Sequence, residues 1–132
     1  KLAKSQVTAV LLPSADLYMK CNYPPAKKMI EQGVRVALST DFNPGSSPSL
    51  DLQLAGVLAR LQMEMSLPQV LAAYSVGASF ALGLEKEIGS LEVGKYADFI
   101  GTSKSWQESF YTPGSAFTEV TYSKGRQVYA KQ

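Results

Sequence analysis

The sequence predicts an α/β fold with a parallel pair of strands, on three features. Residues 7–12 (Val-Thr-Ala-Val-Leu-Leu) and 34–40 (Val-Arg-Val-Ala-Leu-Ser-Thr) are apolar, β-branched runs without polar alternation, the pattern of strands buried on both faces. A short helical pattern lies between them, so the unit takes about 35 residues, the size of a βαβ crossover, in which the strands run parallel. From Ile88 onward, Gly-punctuated short strands make a β-rich tail.

Each element has a local reason. Pro13 closes the first strand, and Ser14 to Tyr23 mix polar and apolar residues without a period, which reads as a loop ending at Pro24-Pro25. Proline suits a first helical turn, so a helix of about two turns follows, with Ala26, Met29 and Ile30 as its apolar stripe and Gly33 as its stop. After the second strand comes Asp41-Phe42-Asn43-Pro44-Gly45-Ser46-Ser47-Pro48. Ser47 with Pro48 reads as the start of a helix whose stripe is Leu50, Leu54, Leu58 and Leu61. Ser66-Leu-Pro-Gln69 matches a capping box, opening a helix that runs to about Leu82 before Gly83. Its faces are nearly all apolar or small, so it is expected to be covered on most sides. In the tail, Tyr96 to Thr102, Thr118 to Tyr122 and Arg126 to Ala130 read as strands, the last two joined by a tight turn at Lys124-Gly125.

Composition bounds the function. The 132 residues carry 13 Lys+Arg against 11 Asp+Glu, a net charge of +2 that gives no concentrated field for a nucleic acid or an anionic membrane. No run is long enough for a membrane span, and no secretory signal is evident, so a cytoplasmic location is expected. The single Cys21 has no disulfide partner and no His to generate its thiolate, which makes it an inert thiol. The chain has no His at all, so an imidazole base, a Ser-His-Asp triad or a His-ligated metal cannot come from these residues.

Chemistry is therefore sought among carboxylates and backbone groups at the carboxyl ends of the parallel strands, where active sites of α/β folds concentrate. Asp41 stands at that position. Asn43, Gly45 and Ser46 add an amide, an unhindered backbone N–H and a hydroxyl, a set suited to an anionic ligand such as a carboxylate. The same residue types also serve a turn's own backbone hydrogen bonds. Tyr18, Tyr23 and Tyr74 read as packing residues, and Lys86 and Lys95 as a solvated surface. Gly94-Lys95 lacks the flanking residues of a phosphate loop, and Trp106 covers either an edge or a partner surface.

Four segments taken together resemble a known family: Leu11-Leu12-Pro13, Pro24-Pro25-Ala26, the run from Ala37 to Gly45 (Ala-Leu-Ser-Thr-Asp-Phe-Asn-Pro-Gly), and the run from Gly89 to Phe99 (Gly-Ser-Leu-Glu-Val-Gly-Lys-Tyr-Ala-Asp-Phe). They are similar to the C-terminal part of the imidazolonepropionases, within the metal-dependent amidohydrolase superfamily. The Gly-x-Leu-x-x-Gly-Lys-x-Ala-Asp pattern marks the superfamily; Ser-Thr-Asp-x-Asn-Pro-Gly with Leu-Leu-Pro is narrower and favours this family over dihydroorotases and nucleobase deaminases.

The resemblance implies a fold and a set of roles. Residues 1–87 would be the last two β/α units of a (β/α)₈ barrel with their following helices, and residues 88–132 the strands returning to a small composite sandwich. Such a barrel takes about 250 residues, so the N-terminal part, with the metal-binding histidines, would lie outside this chain. Asp41 would be both a metal ligand and the acceptor of a proton from the metal's water. Asn43, Gly45 and Ser46 would contact the substrate; Ser46 stands where the family often has Thr. The implied cofactor is a divalent metal, zinc or iron, with none expected on this chain alone, since a catalytic site needs about three protein ligands. The implied reaction is hydrolysis of the ring amide of 4-imidazolone-5-propanoate to N-formimidoyl-L-glutamate. The other readings are a non-catalytic α/β binding or scaffold module, and an amidohydrolase for another cyclic amide or an amidine. Without preceding strands, residues 7–12 would leave an apolar edge, which predicts either self-association or a cover formed by the tail strands.

Overall fold

The computed structural model describes residues 1–115 and 118–132. Strand β1 (Thr8–Leu11) and strand β2 (Arg35–Leu38) pair in parallel, with Thr8 opposite Arg35 and Leu11 opposite Leu38, as the crossover rule requires. Arg35 ties the amino ends together, donating to the Gln6 carbonyl at 2.8 Å and to Gln6 Oε1 at 2.7 Å.

Strand β2 is buried as its composition predicts, whereas β1 is buried only in part. Leu11, Val36, Ala37 and Leu38 are buried, yet Val7 and Val10 are exposed, Val10 at 47%. The reason is the sheet itself: it has two strands, and β1 has a single neighbour, β2. Among the described residues the tail strands do not pair with the free edge of β1; they form a separate sheet.

The segment read as a loop after Pro13 contains helix α1 (Pro13–Met19). Proline at the first position, Asp16 in the first turn and the buried trio Pro13, Ser14 and Ala15 are sufficient for two turns, too few to display a period. Helix α2 (Ala26–Glu31) follows as expected, stopped near Gly33 at φ +81°.

Helix α3 (Leu52–Gln62) starts later than Ser47-Pro48 predicts. Its cap is Asp51, whose Oδ1 accepts the backbone N–H groups of Gln53 at 2.8 Å and Leu54 at 3.0 Å. Its buried face is also different: Ala55, Gly56 and Ala59 are buried, while Leu50 and Leu61 are exposed. Small residues let α3 sit close to its neighbours, and Gly56 lies under the Phe110 ring, where an added Cβ would stand 2.5 Å from Phe110 Cδ1.

The capping box is present as read: Ser66 Oγ accepts from the Gln69 N–H at 3.4 Å, and Gln69 Oε1 accepts from the Ser66 N–H at 2.8 Å. The helix it opens is broken in two, however, into α4 (Leu67–Tyr74) and α5 (Val76–Leu82), with Ser75 between them at φ −108°, ψ −87°. The break lets α5 approach β2 until Gly77 touches its backbone; a Cβ on Gly77 would lie 2.1 Å from the Val36 carbonyl oxygen. These helices are covered on one side only, where Val70, Ala73 and Ser79 are buried, and Leu71, Val76 and Leu82 face outward. Gly83 ends α5 at φ +70°.

The core gathers Leu11, Val36 and Leu38 from the sheet, Ala26, Ala59, Met63, Met65, Val70 and Ala73 from the helical side, and Phe110 from a 3-10 turn at Trp106–Phe110. Beyond it, strands β3 (Phe99–Thr102), β4 (Thr118–Ser123) and β5 (Arg126–Ala130) form an antiparallel sheet in that order. The strand expected from Tyr96 begins only at Phe99. Lys124 at φ +50° and Gly125 at φ +74° make the tight turn, as their sequence indicates. Lys95 is more enclosed than a solvated lysine: its Nζ donates to Ser90 Oγ at 2.7 Å, and the Ser90 hydroxyl and then the Lys95 charge hold Glu92 below the usual carboxylate range.

Candidate functional site

Residues 41–47 form a closed loop at the carboxyl end of β2. The ladder continues one step past the strands, the Ser39 N–H donating to the Leu11 carbonyl at 3.1 Å. Two residues later Asp41 turns the chain at φ +53°, a left-handed conformation that Asp adopts more readily than most side chains. The loop returns to its origin through buried Ser47, whose Oγ donates to the Thr40 carbonyl at 2.5 Å. A backbone pair closes the neck, with Asn43 N–H to the Ser47 carbonyl at 3.0 Å and Ser47 N–H to the Asn43 carbonyl at 3.3 Å.

Inside the loop the four expected residues meet. Asn43 Nδ2 donates to the Asp41 carbonyl at 2.6 Å, to Ser46 Oγ at 2.9 Å and, at longer range, to Asp41 Oδ2 at 3.3 Å. Asn43 Oδ1 accepts the N–H groups of Gly45 at 2.9 Å and Ser46 at 2.8 Å. The Ser46 hydroxyl stands 3.3 Å from Asp41 Oδ2 and 3.2 Å from Asn43 Oδ1, and can donate to either. Asp41, Asn43 and Ser46 are half-buried, whereas Phe42 between them is 57% exposed.

This geometry changes the expected anion cradle. The Gly45 N–H donates within the loop, and the end of α3 is ten or so residues along and already capped by Asp51, so neither is open to an incoming carboxylate. The chemistry left at the surface of the loop is the Asp41 carboxylate. Its Oδ2 faces the two donors, and among the described residues its Oδ1 accepts no hydrogen bond. A carboxylate with one oxygen engaged and one unengaged fits a single ligand position on a metal. Among the described residues no group of three His, Cys, Asp or Glu side chains converges.

Some contributors escaped the sequence reading. Ser47 pins the loop, although its sequence context suggested a helix cap. Ser14, directly beyond the carboxyl end of β1, is fully buried with an unpartnered Oγ. Elsewhere, a cavity of about 550 Å³ between the helices and the tail sheet is walled by Tyr74, Trp106, Phe110 and Tyr129, and holds none of the four loop residues. Tyr74 belongs to that wall as a structural group: its hydroxyl donates to the Leu52 carbonyl at 2.7 Å, and burial, then the Asp51 charge, pushes its phenol up. No helix among the described residues is long and apolar enough to cross a membrane.

The parallel pair, its covering helices and a carboxylate at the strand end fit an α/β-barrel hydrolase. The amidohydrolase family profile matches residues 1–128, and the chain belongs to that family. It is 59% identical over 129 residues to the imidazolonepropionase of Bdellovibrio bacteriovorus, covering 98% of this chain and 30% of that protein. It is 51% identical over 100 residues to the imidazolonepropionase of Treponema denticola, covering 75% of this chain and 24% of that one. Among solved structures, an adenosine deaminase from Xanthomonas campestris with bound zinc superposes with a TM-score of 0.86 at 23% identity, over 96% of this chain and 33% of the deaminase, a likeness of fold alone. The β1–β2 unit with its helices is thus a portion of a (β/α)₈ barrel. The chain spans about 30% of the length of the curated relative from Bdellovibrio.

Proposed function

We propose that this chain is the C-terminal share of an imidazolonepropionase, which hydrolyses the ring amide of 4-imidazolone-5-propanoate to N-formimidoyl-L-glutamate in the cytoplasm. The observation that carries the reading is the 59% identity across 98% of the chain with a protein of that name. Residues 1–87 supply the last two β/α units of the barrel and residues 88–132 the returning sandwich strands. The exposed edge of β1, with Val7 and Val10, is the seam that the N-terminal part of the same polypeptide covers; separated from it, the chain self-associates there.

In this reading Asp41 is one ligand of a divalent metal, zinc or iron, whose charge when bound acidifies a water and polarises the ring carbonyl. The Asp41 carboxylate takes a proton from the attacking water as oxygen joins the carbonyl carbon. The carbon–nitrogen bond of the ring then breaks, and that proton passes to the departing nitrogen. Asn43, Gly45 and Ser46 form the substrate-facing rim beside it. The reaction leaves a new carboxylate and an open formimidoyl chain, with one water consumed.

The test is turnover by the full-length polypeptide, following loss of the imidazolone's ultraviolet absorbance and appearance of the product by mass spectrometry. Asp41→Asn is expected to lower kcat by about 10³-fold or more, the scale of an electrostatic or general-base group lost. Turnover retained in that variant, or a preference for another cyclic amide or an amidine, overturns the assignment.

A further inference from the structure

The geometry points to Asn43 and Ser46 as positioning residues that select which oxygen of the Asp41 carboxylate is offered to the metal. The inference rests on the reading of Asp41 as a metal ligand and goes beyond the substrate-facing role given to these residues above.

The amide of Asn43 is fully engaged within the loop. Its two Nδ2 hydrogens face three acceptors, the Asp41 carbonyl at 2.6 Å, Ser46 Oγ at 2.9 Å and Asp41 Oδ2 at 3.3 Å. Its Oδ1 takes the Gly45 and Ser46 N–H groups at 2.9 Å and 2.8 Å. A side chain so engaged holds both ends of Asp41. It grips the carbonyl that the left-handed φ of +53° turns inward, and it reaches the carboxylate with the help of the Ser46 hydroxyl.

Both donors converge on Oδ2 and neither reaches Oδ1. A free aspartate side chain rotates about its terminal torsion and exchanges its oxygens; two donors on one side, each at 3.3 Å, bias that rotation toward the orientation with Oδ1 unengaged. Partners of this kind behind a metal ligand typically control about 10–100-fold of metal affinity. The Ser46 hydroxyl is the finer part of the device, because it both accepts from Asn43 and stands within reach of Oδ2. Threonine retains that hydroxyl; alanine does not.

The experiment measures zinc affinity of the full-length polypeptide by competition with a chromophoric chelator, together with kcat and KM, for Asp41→Ala, Asn43→Ala, Ser46→Ala and Ser46→Thr. Asn43→Ala is expected to weaken zinc binding about 10–100-fold and to lower kcat while KM moves less than about threefold. Ser46→Ala is expected to weaken zinc several-fold, with Ser46→Thr restoring it to within about twofold of the parent. If Asn43→Ala unfolds the loop more widely, the Ser46 pair decides. Equal zinc affinity in the parent, Ser46→Ala and Asn43→Ala, with KM raised instead, assigns these residues to the substrate alone and overturns the inference while Asp41 stands as a ligand. Zinc retained by Asp41→Ala removes the ligand reading and the inference with it. A zinc series that holds in a protein inactive on imidazolone propionate leaves the positioning intact and removes only the substrate.

Discussion

Replacing Gly77 by Ala tests whether the close approach of α5 to β2 organises this half of the fold. In an exposed helix the change would be favourable by about 1 kcal/mol, because alanine has the better helix propensity. Here the added Cβ would stand 2.1 Å from the Val36 carbonyl oxygen and 3.1 Å from its carbonyl carbon, with the Ala72 oxygen 3.3 Å away. An ordinary carbon–oxygen contact needs about 3.3 Å, so α5 must retreat by roughly 1 Å. The obstructing atom is main chain inside a paired strand and cannot turn aside. A gap of that size forfeits up to half of each dispersion contact across the interface, including those around buried Ser79 and the Phe80 ring that stacks on Arg35. Overpacking of this type costs about 3 kcal/mol, which leaves a net loss of about 2 kcal/mol after the propensity gain. In the full-length polypeptide, of which this chain is about 30% by the length of its Bdellovibrio relative, that lowers Tm by roughly 2 °C. Thermal unfolding of the full-length polypeptide followed by circular dichroism gives the number, with Gly83→Ala as the control. Gly83 has nothing within 4 Å of the position its Cβ would take, only the strain of φ +70°, so its cost is about 1 kcal/mol. A Tm for Gly77→Ala equal to or above the parent's would refute the argument that backbone contact sets the position of α5.

Asp41→Gly relieves a left-handed residue at φ +53° and is expected to leave stability unchanged or raised by up to about 1 kcal/mol, while turnover and zinc affinity fall; differential scanning calorimetry beside an activity assay separates the two. Ser66→Ala removes the hydroxyl half of the capping box and should cost about 1 kcal/mol in denaturant unfolding, with no effect on KM. Gly56→Ala drives a methyl into the Phe110 ring, which is stacked 5.7 Å from Tyr74, and should cost about 1–3 kcal/mol; in a double-mutant cycle Phe110→Ala should cancel much of that cost. The Tyr74 phenol is pushed up by burial and by Asp51, so the folded state holds its proton more tightly than the unfolded chain does. Stability is therefore flat below about pH 10 and falls as pH rises past it, and Tyr74→Phe should flatten that fall in urea titrations across the alkaline range.

The parts of the fold that were legible in the sequence are those determined by a few adjacent residues. The capping box needs only Ser66 and Gln69, the tail turn only Lys124 and Gly125, and the βαβ unit only two β-branched runs at the right separation. What escaped depends on distant partners. The leucine stripe of α3 promised a core that Ala55, Gly56 and Ala59 fill instead, because close packing against Phe110 and α4 favours small side chains over large ones. Ser47 and Asp51 are equally good caps by composition; the choice was settled by Ser47's hydrogen bond to the Thr40 carbonyl, seven residues back along the chain. The candidate site shows the same division. Its residues stand together in sequence and were all visible, but their donors and acceptors point inward, and only the geometry distinguishes a loop that cradles an anion from one that clasps its own carboxylate. That distinction carries chemical weight. An anion cradle needs open N–H groups, whereas the Gly45 and Ser46 N–H groups close on Asn43, and the group left unengaged is a carboxylate oxygen, which attracts a cation. A sequence that reads as an anion site thus folds into a loop that turns its N–H groups inward and leaves a carboxylate oxygen outermost.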